Sequence, residues 1–163
     1  AWRWHRVRGD EKTAAGLITR PMTTEVRIAI EPPAPSDMNA VAVQLAEFNA
    51  SQADGEMPNY LFIAARDHTG AIRGGLIGAT YLGWLSIQVV SLDAALRGQG
   101  HGTRIMKLAE EEAVRRGCPR VFLETLSFQA LPFYEKHGYA VHSKLEDFPP
   151  GGARYALTKI LQD

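Results

Sequence analysis

The chain has 163 residues, carries 18 Lys plus Arg against 18 Asp plus Glu, and contains one cysteine, Cys118. That length suits one domain able to bury a core without metal or disulfide staples; a single cysteine excludes an internal disulfide and fits a reducing cytoplasm, the expected location. Balanced charge argues against a general nucleic-acid binder, which carries a basic excess, and no stretch approaches the roughly 20 apolar residues of a membrane helix, so neither nucleic acid nor membrane is an expected partner.

Residues 1–23 hold Trp2 and Trp4 among Arg3, Arg6 and Arg8 and show neither helical nor strand periodicity. They are expected to be a poorly ordered extension, with an arm packed on a partner subunit as the rival reading. No apolar run follows the arginines as it would in a signal peptide. Met22 reads as a plausible start of the fold, and 24–163 as a single domain. Val26, Ile28 and Ile30 alternate with Arg27 and Ala29, the pattern of a half-buried strand. Pro32, Pro33 and Pro35 end it. Ser36 is a potential helix cap with Asp37 in the first turn, and Val41, Leu45 and Phe48 follow at helical spacing. Gly55 and Pro58 mark 49–59 as a loop, with a short helix within it as the alternative.

Three strands are expected next, over 60–65, 72–82 and 84–92, separated by turn residues at 67–70 and at Gly83. Connections this short leave no room for a crossover helix, so the three should form an antiparallel meander. After Arg97 the period changes. Ile105, Leu108, Ala109 and Ala113 share one helical face, ended by Gly117 and Pro119. A short buried strand at 121–123 follows this crossover and should run parallel to its predecessor. A helix over 128–137, stopped by Gly138, and closing strands at 139–145 and 153–161 complete the chain.

The segment with chemical content is Val90-Ser91-Leu92 followed by Asp93 to Thr103: a strand, a basic glycine-rich turn and a helix start. Helix starts present free N–H groups and partial positive charge, and glycines let a backbone approach an anion closely. Together they make a pyrophosphate site. A bare glycine connection is the bland reading. A dinucleotide fingerprint fits Gly98 and Gly100 but finds Thr103 at its third glycine and no βαβ start upstream. A Walker loop fails because no Gly-Lys-Ser/Thr follows.

Arg97-Gly98-Gln99-Gly100-His101-Gly102 resembles the Arg/Gln-x-x-Gly-x-Gly/Ala signature of the GNAT superfamily of acetyl-CoA-dependent N-acetyltransferases. Ser127-Phe128-Gln129-Ala130-Leu131-Pro132-Phe133-Tyr134-Glu135-Lys136-His137-Gly138-Tyr139 resembles the second motif, Asn-x-x-Ala-x-x-Phe-Tyr-x-x-x-Gly-Phe/Tyr. The two stand in the family's order, one helix and one strand apart, and the resemblance spans 26–161. Ser127 replaces the commoner asparagine, and Ala94 the commoner proline.

The resemblance implies a mixed α/β fold with antiparallel N-terminal strands, a central splayed parallel pair and flanking helices. It implies acetyl-CoA as cosubstrate, no metal, and an amine acceptor that attacks the thioester through a tetrahedral intermediate. Cofactor contacts carry over to Val90, Ser91, Leu92, Arg97, Gly98, Gln99, Gly100, His101, Gly102, Thr103, Ser127 and Tyr134. Tyr134 becomes the acid that returns a proton to sulfur, since a tyrosine near its ordinary pKa of about 10 keeps its proton at pH 7. Glu124, at the end of the short parallel strand, is the candidate base, with a water relay as the first choice. His68, His137 and His142 are expected at the surface. Glu47, Asp54 and Glu56 on one loop, and Glu146 and Asp147 on another, are expected to border the acceptor side and attract a cationic amine. A small-molecule amine is the expected acceptor and a homodimer the expected assembly. A protein amino-group acetyltransferase, a cofactor-binding sensor without catalysis and a structural protein remain as alternatives.

Overall fold

The computed structural model describes residues 26–161. The expectations for 1–23, including Met22, lie outside the described residues.

Residues 26–34 form no regular element, and Val26, Ile28 and Ile30 are exposed. This corrects the strand expected there. Alternation marks a face that a strand would bury, but a strand forms only where another strand's edge accepts its hydrogen bonds. From Pro35 onward the order is α1 (Pro35–Gln52), β1 (Asn59–Arg66), β2 (Ile72–Tyr81), β3 (Trp84–Leu92), a 3-10 turn (Ala94–Leu96), α2 (His101–Arg115), β4 (Arg120–Leu126), α3 (Leu131–Lys136), β5 (Ala140–Glu146) and β6 (Ala153–Ile160). α1 begins at Pro35, whose fixed φ suits the first helical position, so Ser36 lies inside the helix rather than capping it. No residue of α1 is buried. No helix among the described residues is long and apolar enough to cross a membrane.

The strands form one six-stranded sheet in the order β1-β2-β3-β4-β6-β5. β1, β2 and β3 are the expected antiparallel meander, β3 and β4 are the one parallel pair, and β6 lies between β4 and the edge strand β5. α2 is the crossover that makes β3 and β4 parallel. Its Ile105, Met106, Ala109 and Ala113 pack into a core with Leu76, Leu85, Ile87, Val121, Leu123 and Leu157 from one face of the sheet. Leu108, expected on the same stripe, is instead 44% exposed. The far end of α2 is tied down by Arg116, whose Nη1 donates to the carbonyl of Asn59 at 2.9 Å while its Nε donates to Glu112 at 2.6 Å. The helix axis is thus fixed at its C-terminal end, and its N-terminus is aimed at the opening between β3 and β4.

Candidate active site

The opening between those strands starts with a bulge. Along β2–β3 the register runs Leu76↔Val90, Ile77↔Val89 and then Gly78↔Ile87, so Gln88 is an extra residue on β3 and bends it. Parallel pairing of β3 with β4 ends at Ile87↔Leu123. Beyond that point β3 stays bonded to β2 as far as Leu92, and β4 to β6 as far as Leu126. The two strands part, and a cleft of about 970 Å³ opens between them.

Val90, Ser91 and Leu92 form one wall, and Glu124 and Thr125 the other. The mouth is closed by the turn before α2, through Arg97, Gly98, Gly100, Gly102 and Thr103. Gly100 caps α2 with φ 83°, in the left-handed region that a residue with a Cβ rarely adopts. The first backbone bond of the helix runs from Arg104 N to Gly100 O at 3.0 Å, and no side chain caps it. Among the described residues the N–H groups of Gln99 through Thr103 therefore have no protein acceptor. Arg97 serves the same turn twice: Nε donates to the Leu92 carbonyl at 3.0 Å, and the side chain lines the cleft.

α3 supplies the third side. Its helix starts at Leu131, three residues later than expected, because Gln129 is spent on the preceding turn: its Oε1 accepts from Leu126 N at 2.8 Å and from Thr125 Oγ1 at 3.3 Å. Phe133 packs on the α2 start so closely that a Cβ at Gly102 would stand 3.3 Å from its ring. Tyr134 is only 7% exposed and meets Phe133 and Tyr139 edge-on. Burial pushes its phenol above the ordinary tyrosine value. Its hydroxyl has no protein partner among the described residues, yet it is not a sealed polar atom, so it opens on the cleft. Behind it Tyr139 donates to Glu110 at 2.9 Å, and Lys159 pairs with Glu110 at 2.7 Å. Burial and then the Glu110 charge raise the Tyr139 phenol strongly.

The structure gathers most of the residues singled out from the sequence. Val90, Ser91, Leu92, Arg97, Gly98, Gly100, Gly102, Thr103, Glu124 and Tyr134 all line the one cleft. Three side chains turn elsewhere. Gln99 donates to the Ala95 carbonyl at 2.7 Å and braces the 3-10 turn. His101 lines a separate groove of about 750 Å³, with Arg104, Ile105 and Leu108. Ser127 accepts from Ala153 N at 3.1 Å and staples the end of β4 to β6.

Glu124 is the only carboxylate lining the cleft among the described residues, and Arg154 from β6 engages its Oε2. The loop carboxylates expected to border the acceptor side line no part of the cleft. Glu56 accepts from Leu82 N at 2.7 Å, Asp147 from Gly151 N at 2.6 Å, and Glu146 pairs with Lys144 at 2.8 Å. His137, expected at the surface, is half-buried in the cleft wall, and Lys136 beside it lines the same space. Sequence reasoning had no signal for His137, because its partner Thr103 is 34 residues away.

A splayed parallel strand pair, a glycine turn at a helix N-terminus and a buried tyrosine thus meet at one cleft. The chain belongs to the acetyltransferase (GNAT) family, whose model matches residues 26–139. It is 37% identical to an acetyltransferase of Agrobacterium fabrum over 61% of this chain and 69% of that one. It is 38% identical to the blasticidin-S acetyltransferase of Streptomyces morookaense over 56% of this chain and 68% of that one. Among solved structures, an acetyltransferase from Bacillus cereus matches with a TM-score of 0.69 at 27% identity, covering 82% of this chain and 98% of its own. A Bacillus anthracis protein solved in complex with acetyl coenzyme A shares the fold, with a TM-score of 0.57 at 21% identity over 66% of this chain and 65% of its own.

Proposed function

We propose that the protein is an N-acetyltransferase that moves the acetyl group of acetyl-CoA to the primary amine of a small molecule. The observation that carries this reading is the run of unpartnered N–H groups from Gln99 to Thr103 at the mouth of the splayed cleft. Five such donors at a helix start, with Arg97 and Lys136 alongside, fit a diphosphate. The parted edges of β3 and β4 fit an extended arm that bonds as an added strand. The cosubstrate supplies an activated acetyl thioester.

The chain's own residues then have separate tasks. The main chain near Val90 and Leu92 holds the arm, and the Val90 N–H is the donor assigned to the developing oxyanion. The amine nitrogen bonds to the carbonyl carbon first. As the C–S bond then breaks, Tyr134 gives its proton to the sulfur, water takes the second proton from the nitrogen, and the phenolate is reprotonated from solvent. Burial suits Tyr134 to this role, because the neutral phenol persists beyond the ordinary tyrosine range. An alkyl amine with pKa near about 10.4 is mostly protonated at pH 7, so it must first lose a proton. Glu124, with Oε2 engaged by Arg154, turns its other oxygen to the cationic amine at the apex of the cleft, and a water takes the proton.

The Streptomyces relative is named for an antibiotic acceptor, which favours a small-molecule amine over a protein terminus. A panel of aminoglycosides, polyamines, nucleoside antibiotics and peptide N-termini, read out as free CoA thiol, tests the reading. Turnover with a small amine is expected. Acetyl-CoA binding without release for any amine would leave a sensor module, and release with peptides alone would make the acceptor a protein.

A further inference from the structure

His137 is held by two hydrogen bonds that together fix where its protons lie. Its Nδ1 stands 2.7 Å from the carbonyl oxygen of Phe133, and its Nε2 stands 2.9 Å from Oγ1 of Thr103. The ring lies against Phe133 with centroids 4.3 Å apart. A carbonyl only accepts, so Nδ1 carries a hydrogen. In the neutral ring Nε2 is then a lone pair, and the Thr103 hydroxyl gives it its one proton. Thr103 belongs to the first turn of α2, among the unpartnered N–H groups. An anion settling there meets an oxygen whose proton points away. If the ring takes up a second proton the bond reverses: Nε2–H donates to Oγ1, and the Thr103 hydrogen is freed to point into the cleft with a positive charge behind it.

We infer that His137 and Thr103 form a proton-linked part of the diphosphate site, in which anion binding draws a proton onto His137 and that proton strengthens anion binding. The inference rests on the cofactor reading given above. Linkage makes the two effects equal in free energy. The surrounding charges do not supply a competing partner. Arg97 from the turn and Lys136 from α3 line the same cleft, and Glu124 from β4 is engaged by Arg154. On α2, Lys107 pairs with Glu111 at 3.7 Å, and Glu110 is held by Tyr139 and Lys159. No carboxylate pairs with either nitrogen of His137 among the described residues, so the charge that answers the ring is that of the bound anion.

Calorimetry of acetyl-CoA binding at pH 7.5, in buffers of different ionisation heat, counts the protons taken up. The wild-type protein is expected to gain a fraction of one proton as the anion binds. His137→Gln and Thr103→Val should lose that fraction, and Thr103→Ser should keep it. Ionisation of the ligand's own phosphates is common to every arm and cancels in the difference. Affinity of the wild type should fall between pH 6 and 8 by up to about 10-fold more than that of His137→Gln. Histidine NMR on the unaltered protein gives the same answer without a variant: the His137 titration should move to higher pH when acetyl-CoA is added. Unchanged proton uptake in His137→Gln with acetyl-CoA still bound, or an unmoved His137 titration, overturns the inference while leaving the cofactor site intact. Acetyl-pantetheine, which lacks the diphosphate, should bind without the His137-dependent uptake; if it binds as tightly as acetyl-CoA, the cradle itself is wrong and the inference goes with it.

Discussion

The two ends of the cleft are built from different materials. At the mouth the donors are backbone N–H groups from Gln99 to Thr103, presented by glycines at the start of α2. At the apex, where β3 leaves β4, the groups are side chains: Gln88, Glu124, Thr125 and, from α3, the Tyr134 hydroxyl. A backbone site keeps its preference for an anion whatever the neighbouring side chains, because every residue but proline has an N–H. A side-chain site changes its preference with a single substitution. On the proposed reading, the mouth holds what all such transferases share and the apex holds what distinguishes this one. The nearest test is to damage each end separately.

The largest effect is expected at the mouth. Gly100→Glu with Gly102→Glu places two carboxylates in the cradle, forces a Cβ onto a φ of 83° and pushes another toward Phe133. Acetyl-CoA affinity should fall by about 100-fold or more, on the order of 2.7 kcal/mol, while far-UV dichroism stays that of the wild type. Unchanged affinity by calorimetry would place the diphosphate elsewhere. Tyr134→Phe comes next. It keeps the ring's packing against Phe133 and Tyr139 and removes only the hydroxyl. Turnover should drop by about 100-fold, the usual scale of acid catalysis, with acetyl-CoA affinity nearly constant. The phenol is raised by burial and acts when protonated, so wild-type turnover should show no alkaline fall from Tyr134 below about pH 10. Equal turnover in the variant would remove the acid role.

The same contrast explains what the sequence made legible. The glycine turn was readable because its shape lies in local backbone geometry, which Gly98, Gly100 and Gly102 announce. The meander and the α2 stripe were readable because periods of 2 and 3.6 are local properties. What failed depended on a distant partner. Residues 26–30 have the alternation of a strand but lie in no strand. Leu108 has the spacing of a core residue, yet it borders the groove containing His101. Glu56 was expected to face the acceptor, yet it accepts from Leu82 N, 26 residues away. Ser127 matched its motif position, and its hydroxyl is nevertheless engaged by Ala153 on β6.

A smaller effect is expected at the apex. Glu124→Gln keeps the shape of the side chain and removes the one carboxylate that lines the cleft among the described residues. With a cationic amine the KM for acceptor should rise by about 3- to 10-fold, and the acetyl-CoA KM should hardly change, since the mouth is untouched. The loss should shrink at high salt, as it does for a partly exposed charge. A fall in kcat with acceptor KM unchanged would instead make Glu124 the base. That outcome would move the proton-accepting role from water to this residue.

The smallest effect lies just outside the mouth and tests whether the turn is held from behind. Arg73 pairs with Asp67 at 2.7 Å and reaches Asp93 at 3.7 Å, while Asp93 N donates to the Arg73 carbonyl at 2.8 Å. The β1–β2 turn is thereby linked to the start of the glycine turn. Thr69 and then Arg73 hydrogen-bond the Asp67 carboxylate and lower its pKa to about 2, from an ordinary 3.8. A depressed folded-state value means that the ionised form stabilises the fold above the unfolded value, and that this contribution is lost as pH falls from about 4 to about 2. Asp67→Asn should therefore lower the Tm at pH 6 by roughly a few degrees at most, since the group is near the surface, and the gap should close on acidification through that window. Acetyl-CoA affinity should change less than about 3-fold, because every N–H of the cradle remains in place. A gap that stayed constant from pH 6 to pH 2 would show that the Asp67 charge does not help to hold this turn, and that the cradle keeps its shape through Gly98, Gly100 and the Arg97 brace alone.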